Sequence, residues 1–572
     1  MSGFAGVLDA RSAALRVELA DHAGPVSPSG CLGHTLDAPP ERLDGLRGRF
    51  ALAAWDTART EALLAVDQLA ARQLYFHLDG SVLTFSTEIR GLLRLLPRQP
   101  APDLAAASSW LLRGSRPAGR TFYEGVRQLR AGHALRLEDG RWREERYWEP
   151  EYRPPLELDR RAQVEAVIHA IEAAVARRLP SGTSGAVRLS GGVDSSSLTA
   201  LTCRSATPHG RLLGGYTAVF PRHPEMDEAA KVEQLTASLE LPSRQLAIEG
   251  GSMLAPALEF LQAFGEPTPS PNLLILRPLL ELAAADGAEV VLDGEGGDEL
   301  FGVAAYLVAD RLRSGRLLGA ANVLRRFPGF AANGGLRPAL TLLREYGLYG
   351  LAPSLARSRA NRPDWLTERA AELAEEAHEP DAWRRRSGPL WWREKVDELV
   401  DQRERAGAHE FMRRLHTLAE VEGEHPFLDD LDLVELVLRL PPESAFDPRF
   451  DRPLLREAVA GLVPDDVRLR RGKSYFDALF QESLSGVDHD AIARLLGPGA
   501  ETAALVDPAR VREQLVEAPT ERRGGRWAWT LWRLTMLECW LRSQSDPGFA
   551  ERVLETWGLP EARVAPLGLR PA

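Results

Sequence analysis

"VRLSGGVDSSSLTAL", residues 187–201, places two glycines, an aspartate and a run of serines directly behind an apolar stretch. A strand running into Gly191-Gly192, followed by a helix starting near Ser195, leaves a row of backbone N–H groups pointing at one spot with the helix dipole behind them. Such a nest binds anions, and phosphate is the usual one. Small residues at 191 and 192 let phosphate oxygens come close to the backbone. The loop has no lysine, so it is not the G-x-x-x-x-G-K-S/T loop of the Walker type. A bare S-G-G also suits an ordinary turn between strand and helix. Asp194 makes the string more specific, because a carboxylate among phosphate-binding amides is repulsive unless a cation lies between them, which implies Mg²⁺.

A second stretch repeats the pattern. "VVLDGEGGDELFG", residues 290–302, is again a buried-type strand ending in glycines and carboxylates. If the two strands are sheet neighbours, Asp194 and Asp298 hold one magnesium from two sides, although far apart in the chain. Around these loops, short apolar runs (186–190, 212–220, 288–294) alternate with helical patterns, which predicts βαβ units and a doubly wound parallel sheet. Ligands of such a sheet sit at the carboxyl ends of its strands. The helix ahead of it shows Val164, Val167, Ile168, Ile171 and Val175 on one face. Residues 303–415 are Arg-, Leu- and Ala-rich and read as a helical insert, and 526–542 as a helix with Trp527, Leu531, Leu534, Leu537 and Leu541 on one face.

Upstream, residues 48–93 read as short strands, with Asp79-Gly80 as a hairpin turn, and 133–148 adds further β-like pieces. This predicts an α+β N-terminal domain over 1–152 and an α/β domain over 153–572, divided at the proline-rich "EPEYRPP" (149–155). A chain of 572 residues exceeds the ~250–300 that one core supports. A net charge of -11 argues against wide contact with nucleic acid or an anionic membrane and favours a small-molecule or peptide substrate. Cys31, Cys203 and Cys539 make no metal-type spacing, which fits a reducing cytoplasm, and no run is apolar enough to span a bilayer.

S-G-G-V-D-S-S followed by G-E-G-G-D-E-L-F-G resembles the asparagine synthetase superfamily, and so do "EGEHPFLDDLDLVELVLRLP" (422–441), "DRPLLREAVAGLVPDDVRLRRGKSYF" (451–476) and the terminal tryptophan-rich run. "GRFALAAWD" and the segments after it are similar to the family's N-terminal glutaminase domain, an Ntn-hydrolase-like fold. The resemblance implies an ATP-pyrophosphatase domain that activates a carboxylate as its acyl-adenylate, with ATP and Mg²⁺ as cofactors. It makes Leu189, Ser190, Gly191, Gly192, Asp194, Ser195 and Ser196 in the first loop, and Gly294, Glu295 and Gly296 in the second, candidate ATP-binding residues. Asp194 and Asp298 become the metal ligands, Lys473 the cation that meets pyrophosphate, Arg452 a second cation sharing that task, and Glu422 the residue that helps deprotonate the amine.

The departures are informative. Family glutaminases begin Met-Cys-Gly, whereas this chain begins Met1-Ser2-Gly3, and a serine hydroxyl lacks the nucleophilicity of a thiol near neutral pH. The glutamine-holding R-G-P-D and N-G-E-I-Y-N strings are missing, so no glutamine hydrolysis is expected and the substrate supplies its own amine. Two groups of the superfamily work so: β-lactam-type synthetases and lasso peptide cyclases. The β-lactam enzymes pair their glutamate with a tyrosine some three dozen residues earlier, where this chain reads "RRRSGPLWW" (384–392), and Glu424 stands where the family often has arginine. An α-amino group, with a pKa of ~7.7–8.0, needs no strong base. A lasso peptide macrocyclase is therefore expected, joining the α-amine of a linear core peptide to an Asp or Glu side chain, with a leader peptidase and a leader-binding protein as partners. A carbapenam-type synthetase, an ammonia-dependent asparagine synthetase and a catalytically silent scaffold remain the alternatives.

Overall fold

The computed structural model describes residues 4–10, 16–19, 29–33, 43, 45–205, 208–330, 335–352, 362–378, 382–401, 407–472, 476–517 and 525–567. Among the described residues, ten strands build the N-terminal region: β1 (Ala5–Asp9), β2 (Arg16–Leu19), β3 (Ser29–Gly33), β4 (Ala51–Asp56), β5 (Glu61–Val66), β6 (Tyr75–Asp79), β7 (Val82–Ser86), β8 (Val126–Gln128), β9 (His133–Glu138) and β10 (Arg141–Arg146). They form two antiparallel sheets, ordered β2-β1-β7-β6-β8 and β10-β9-β5-β4-β3. Leu8, Phe76 and Phe85 from the first sheet share one core with Ala53, Trp55, Leu64 and Leu135 from the second. The expected hairpin joins β6 to β7: Asp79 pairs with Val82, and Gly80 takes the left-handed φ of 59° that the tight turn requires.

The rest of the chain folds around β11 (Ser184–Arg188), β12 (Arg211–Val219), β13 (Ser243–Gly250), β14 (Val290–Leu292), β15 (Glu422–Glu424) and β16 (Arg563–Pro566), in the order β15-β14-β11-β12-β13-β16. All pairings are parallel except that of β16, which closes one edge antiparallel to β13. The chain starts in the middle at β11, moves out through β12 and β13, then returns to the other side of β11 as β14. The order therefore reverses between β11 and β14, and that switch point opens a crevice beyond the strands' carboxyl ends. The helix Arg160–Arg178 covers the sheet with Val167, Ile171 and Val175 buried, and Asp159 caps it by accepting from the Ala162 N–H.

The helical stretch after β14 is not a separate body. Trp391, Trp392, Val396 and Leu399 belong to the core beneath the sheet, and the helix Ala408–Leu418 packs against β15. The two regions of the chain are also welded together. Trp110, Phe122 and Tyr123 join the same core as Phe260, Phe411 and Trp540, and the Trp540 ring lies 5.4 Å from both Phe122 and Tyr123. Beside them Arg116 bonds Glu266 at 3.1 Å and Glu410 at 3.2 Å, while Arg414 bonds Glu266 at 2.8 Å, all four buried. Among the described residues, no helix is long and apolar enough to cross a membrane.

Trp540 is fully buried and its Nε1 donates to the Gly265 carbonyl at 3.0 Å. Trp540→Ala is expected to cost about 3–5 kcal/mol through the cavity it leaves. In urea unfolding the N-terminal and C-terminal regions should lose stability together. A transition confined to the C-terminal region would contradict the shared core.

Candidate active site

β11 and β14 lie side by side in register, Gly185 opposite Val290 and Val187 opposite Leu292. Their loops are thus delivered to the same place, Ser190 to Ser195 from one and Asp293 to Asp298 from the other. Close approach of the loops is possible only through glycine. A Cβ on Gly294 would fall 2.5 Å from the Ser195 nitrogen, and one on Gly297 would fall 2.5 Å from the Asp194 carboxyl carbon. Gly191 takes φ 58° and its missing Cβ leaves room for Glu228, 3.0 Å from where it would stand. Backbone turning and loop packing therefore demand Gly191, while a Cβ on Gly192 would meet the Ser190 hydroxyl at 3.3 Å. Gly192 is the N-cap of the helix Val193–Arg204, and it offers no side chain to cap the first turn. The Ser190 hydroxyl lies 3.2 Å from that of Ser195.

Asp194 and Asp298 meet at one point. The same Nη1 of Arg452 is ion-paired to Asp194 and, at 2.5 Å, to Asp298, while its Nη2 donates to Asp451 at 2.6 Å. Burial works against the Arg452 charge, but Asp194 and then Asp298 outweigh it and raise the guanidinium's hold on its proton. Arg452 adopts a left-handed φ of 50°, a conformation that is costly for a residue with a Cβ and that concentrates at functional positions. A single cationic nitrogen between two carboxylates is a stand-in for a metal ion, and the donor set fits magnesium. Mg²⁺ is commonly held by one or two carboxylates plus substrate phosphates. No group of three or more His, Cys, Asp or Glu side chains forms a closed metal cage among the described residues.

The loops open on a cavity of about 1100 Å³. Ser190, Gly192, Asp194, Ser195, Gly294, Glu295, Gly296, Asp298 and Arg452 all line it. Leu189 and Ser196 do not: both side chains are buried in the core, Leu189 among the apolar residues under the sheet and Ser196 with no exposure at all. Gly191 also lies behind the lining. Lys473, like Ser2 at the other end of the chain, lies outside the described residues. Arg470 and Gly472 next to it do reach the cavity, with Arg470 paired to Glu228.

Glu422 is not brought to this site. Register with Val290 puts it at the amino end of β15, a strand length from the loops, where it accepts from Arg72 at 2.8 Å. Glu422 is not among the residues that line the cavity. Glu422 serves the contact with the N-terminal region, as does Glu424, which is buried against Arg49 and Arg178. Burial raises the pKa of Glu424 despite those arginines.

Behind the second loop lies a polar cluster that sequence reading missed. Asp293 accepts the Glu295 N–H at 3.0 Å, Arg188 at 2.8 Å and His425 Nδ1 at 2.8 Å. Burial by itself would raise the Asp293 pKa, but His425 and Arg188 hold it well below the usual carboxylate range. Burial likewise opposes charge on His425, yet Asp293 raises it to about 9, while the neighbouring His416 is pushed down to about 4 by burial and by His425. An anionic Asp293 thus anchors the Glu295 backbone at the cavity rim.

Comparison with known proteins gives the family. The asparagine synthase family matches residues 166–542, well over half of the chain, and a glutamine amidotransferase domain matches residues 37–148. The chain belongs to the asparagine synthase family. It is similar to amidase chry2 of Gibberella zeae, 29% identical over 47% of this chain and 41% of the relative. It is similar also to amidase chyE of Penicillium rubens, 28% identical over 45% of this chain and 40% of the relative. Asparagine synthetase 3 (glutamine-hydrolyzing) of Bacillus subtilis is 23% identical over 78% of this chain and 70% of its own. The chain therefore spans about two fifths of the length of the two amidases.

The His425 pair has a definite pH signature. Its pKa is raised from 6.5 to about 9, so the stability it contributes is fully present below pH 6.5 and is lost as pH rises through about 9. His425→Gln should lower the urea midpoint more at about pH 6 than at about pH 9.5. An equal loss at both would show that His425 is neutral in the folded protein.

Proposed function

We propose that the chain is an ATP-dependent amide-bond-forming ligase that acts as a lasso peptide macrocyclase. The observation that carries the first half is the convergence of Asp194 and Asp298 on one cationic nitrogen at the mouth of two glycine loops. Mg²⁺, when bound there with ATP, neutralises phosphate charge. The residues of the chain do the rest: the helix at Val193 presents its N–H groups to phosphate, while Arg452 and Arg470 supply positive charge beside the loops. A substrate carboxylate oxygen attacks the α-phosphorus of ATP and pyrophosphate leaves. A neutral amine then attacks the acyl carbon, the C–O bond to AMP breaks, and the amine gives up its proton. Phosphoryl transfer of this kind is mostly positioning and charge neutralisation.

The choice of a peptide rests on the chamber and on the missing glutamine-holding strings. A volume of about 1100 Å³ exceeds the ~300–1,000 Å³ usual for one small ligand, and an aromatic wall of Trp110, Phe411, Phe480 and Trp529 suits a folded peptide beside a nucleotide. Without the R-G-P-D and N-G-E-I-Y-N strings that hold glutamine, the amine of this reading is the peptide's own N-terminus. No protein carboxylate is needed as a strong base for an amine that is already partly neutral at working pH. A leader peptidase and a leader-binding protein would supply the linear core peptide.

Incubation with ATP-Mg and candidate linear core peptides, followed by mass spectrometry, tests this reading. Loss of one water from a peptide, with stoichiometric AMP and pyrophosphate, is the expected result. The same chemistry on small amino diacids alone would overturn the peptide assignment. Asp194→Asn should reduce pyrophosphate release by at least about a hundredfold with the fold intact, and retention of activity would remove the basis of the proposal.

A further inference from the structure

The cations around the chamber are almost all neutralised by the protein itself. Arg188 is held by Asp293 and Glu295, Arg456 by Asp451, Arg470 by Glu228, and Arg452 by three aspartates. Arg471, exposed to solvent, lies over the Phe450 ring at 5.7 Å, whereas Arg533 is partly buried. It lines the same cavity, yet among the described residues it meets no carboxylate and donates only to backbone carbonyls: Nε to Trp529 at 3.2 Å and Nη1 to Trp110 at 3.3 Å. Most of its N–H donors are left without a described partner. Burial alone lowers its pKa, with no acidic group acting in the other direction.

The position is built rather than incidental. Arg533 stands on the long helix Gly525–Ser545, whose next residues are locked into the core through Leu534, Leu537 and Trp540. The end of the helix Leu104–Arg113, from the N-terminal region, supplies the Trp110 carbonyl and then stops at Gly114. A Cβ at 114 would fall 2.8 Å from the Arg533 Nη1, so the glycine leaves room for the guanidinium. Trp529 and Phe480, with rings 5.5 Å apart, frame the same part of the wall.

We infer that Arg533 is a docking site for a carboxylate of the substrate, distinct from the carboxylate that is activated on ATP. A half-buried cation without a counter-ion is unfavourable unless an anion arrives to complete it. The planar fork of a guanidinium matches a carboxylate bidentately. Arg533 shares no described hydrogen bond or ion pair with either glycine loop. The inference deepens the proposed function: on a peptide, the occupant is a C-terminal or side-chain carboxylate, and the N-terminal region takes part in binding it through Trp110 and Gly114.

Isothermal calorimetry on the full chain saturated with ATP-Mg tests this, with glutarate as probe, glutaramide as its neutral counterpart and inorganic phosphate as competitor. Saturable glutarate binding by the wild type, weakened at least about tenfold in Arg533→Gln, is expected, with glutaramide binding neither protein and ATP-Mg affinity the same in both. Arg533→Lys keeps the charge but loses the fork, and should bind glutarate more weakly than the wild type. If the glutamine variant does not fold, this comparison carries the test. Glutarate binding that is absent from the wild type, equal in wild type and variants, or displaced one-for-one by phosphate would overturn the inference. The two proposals fail separately: Arg533-dependent glutarate binding without any dehydrated peptide would remove only the cyclase, and cyclisation with Arg533-independent binding would remove only the docking site.

Discussion

Two carboxylates delivered to one point from loops a hundred residues apart cannot remain there unless a cation lies between them. That constraint organises the α/β part of the molecule. It requires β11 and β14 to be neighbours, which forces the sheet to grow outward from β11 and then return to its other side. It requires glycine at 294 and 297, where any side chain would collide with the first loop. It also explains why Arg452 holds a left-handed backbone conformation, since that places its guanidinium between Asp194 and Asp298. The attraction is strengthened by partial burial, where water screens little.

The N-terminal region is a sandwich of two antiparallel sheets, and residues 37–148 of it match a glutamine amidotransferase domain. Its retention has a physical basis independent of glutamine. Tyr123 and Phe122 complete the packing of Trp540, Arg116 closes a buried ion network with Glu266 and Glu410, and Arg49 and Arg72 neutralise Glu424 and Glu422. Removing one partner from such buried networks leaves an uncompensated charge, so the region is held by what its loss would expose. Trp110 and Gly114 then make it part of the chamber wall.

The two glycine-and-aspartate loops were legible because their flanking strands and charge logic are local, whereas the adjacency of β11 and β14 entered the sequence reading only as a condition, which their register meets. The hairpin at Gly80 and the helix Arg160–Arg178 were legible for the same reason. β13 and β16 were not: "SRQLAIEG" mixes polar residues into a strand, and β16 lies at an antiparallel edge that no alternation announces. β15 hides because three residues carry no periodicity, and with it went the side of the sheet on which Glu422 sits. Ser196 looked like part of the loop, but the helix turns it inward by the 3.6-residue period. The Asp293–His425 pair and the Arg533 site each join residues from separate elements, and nothing local in the sequence marks them.

The central claim is that the two loops share one nucleotide-bound metal. The most direct measurement is a crystal structure of the protein with Mg²⁺ and a non-hydrolysable ATP analogue. The account predicts one metal at ~2.0–2.1 Å from carboxylate oxygens of both Asp194 and Asp298, with the Arg452 guanidinium displaced from between them onto phosphate. A nucleotide bound with Arg452 still bridging the two aspartates, or a metal that contacts neither, would contradict it.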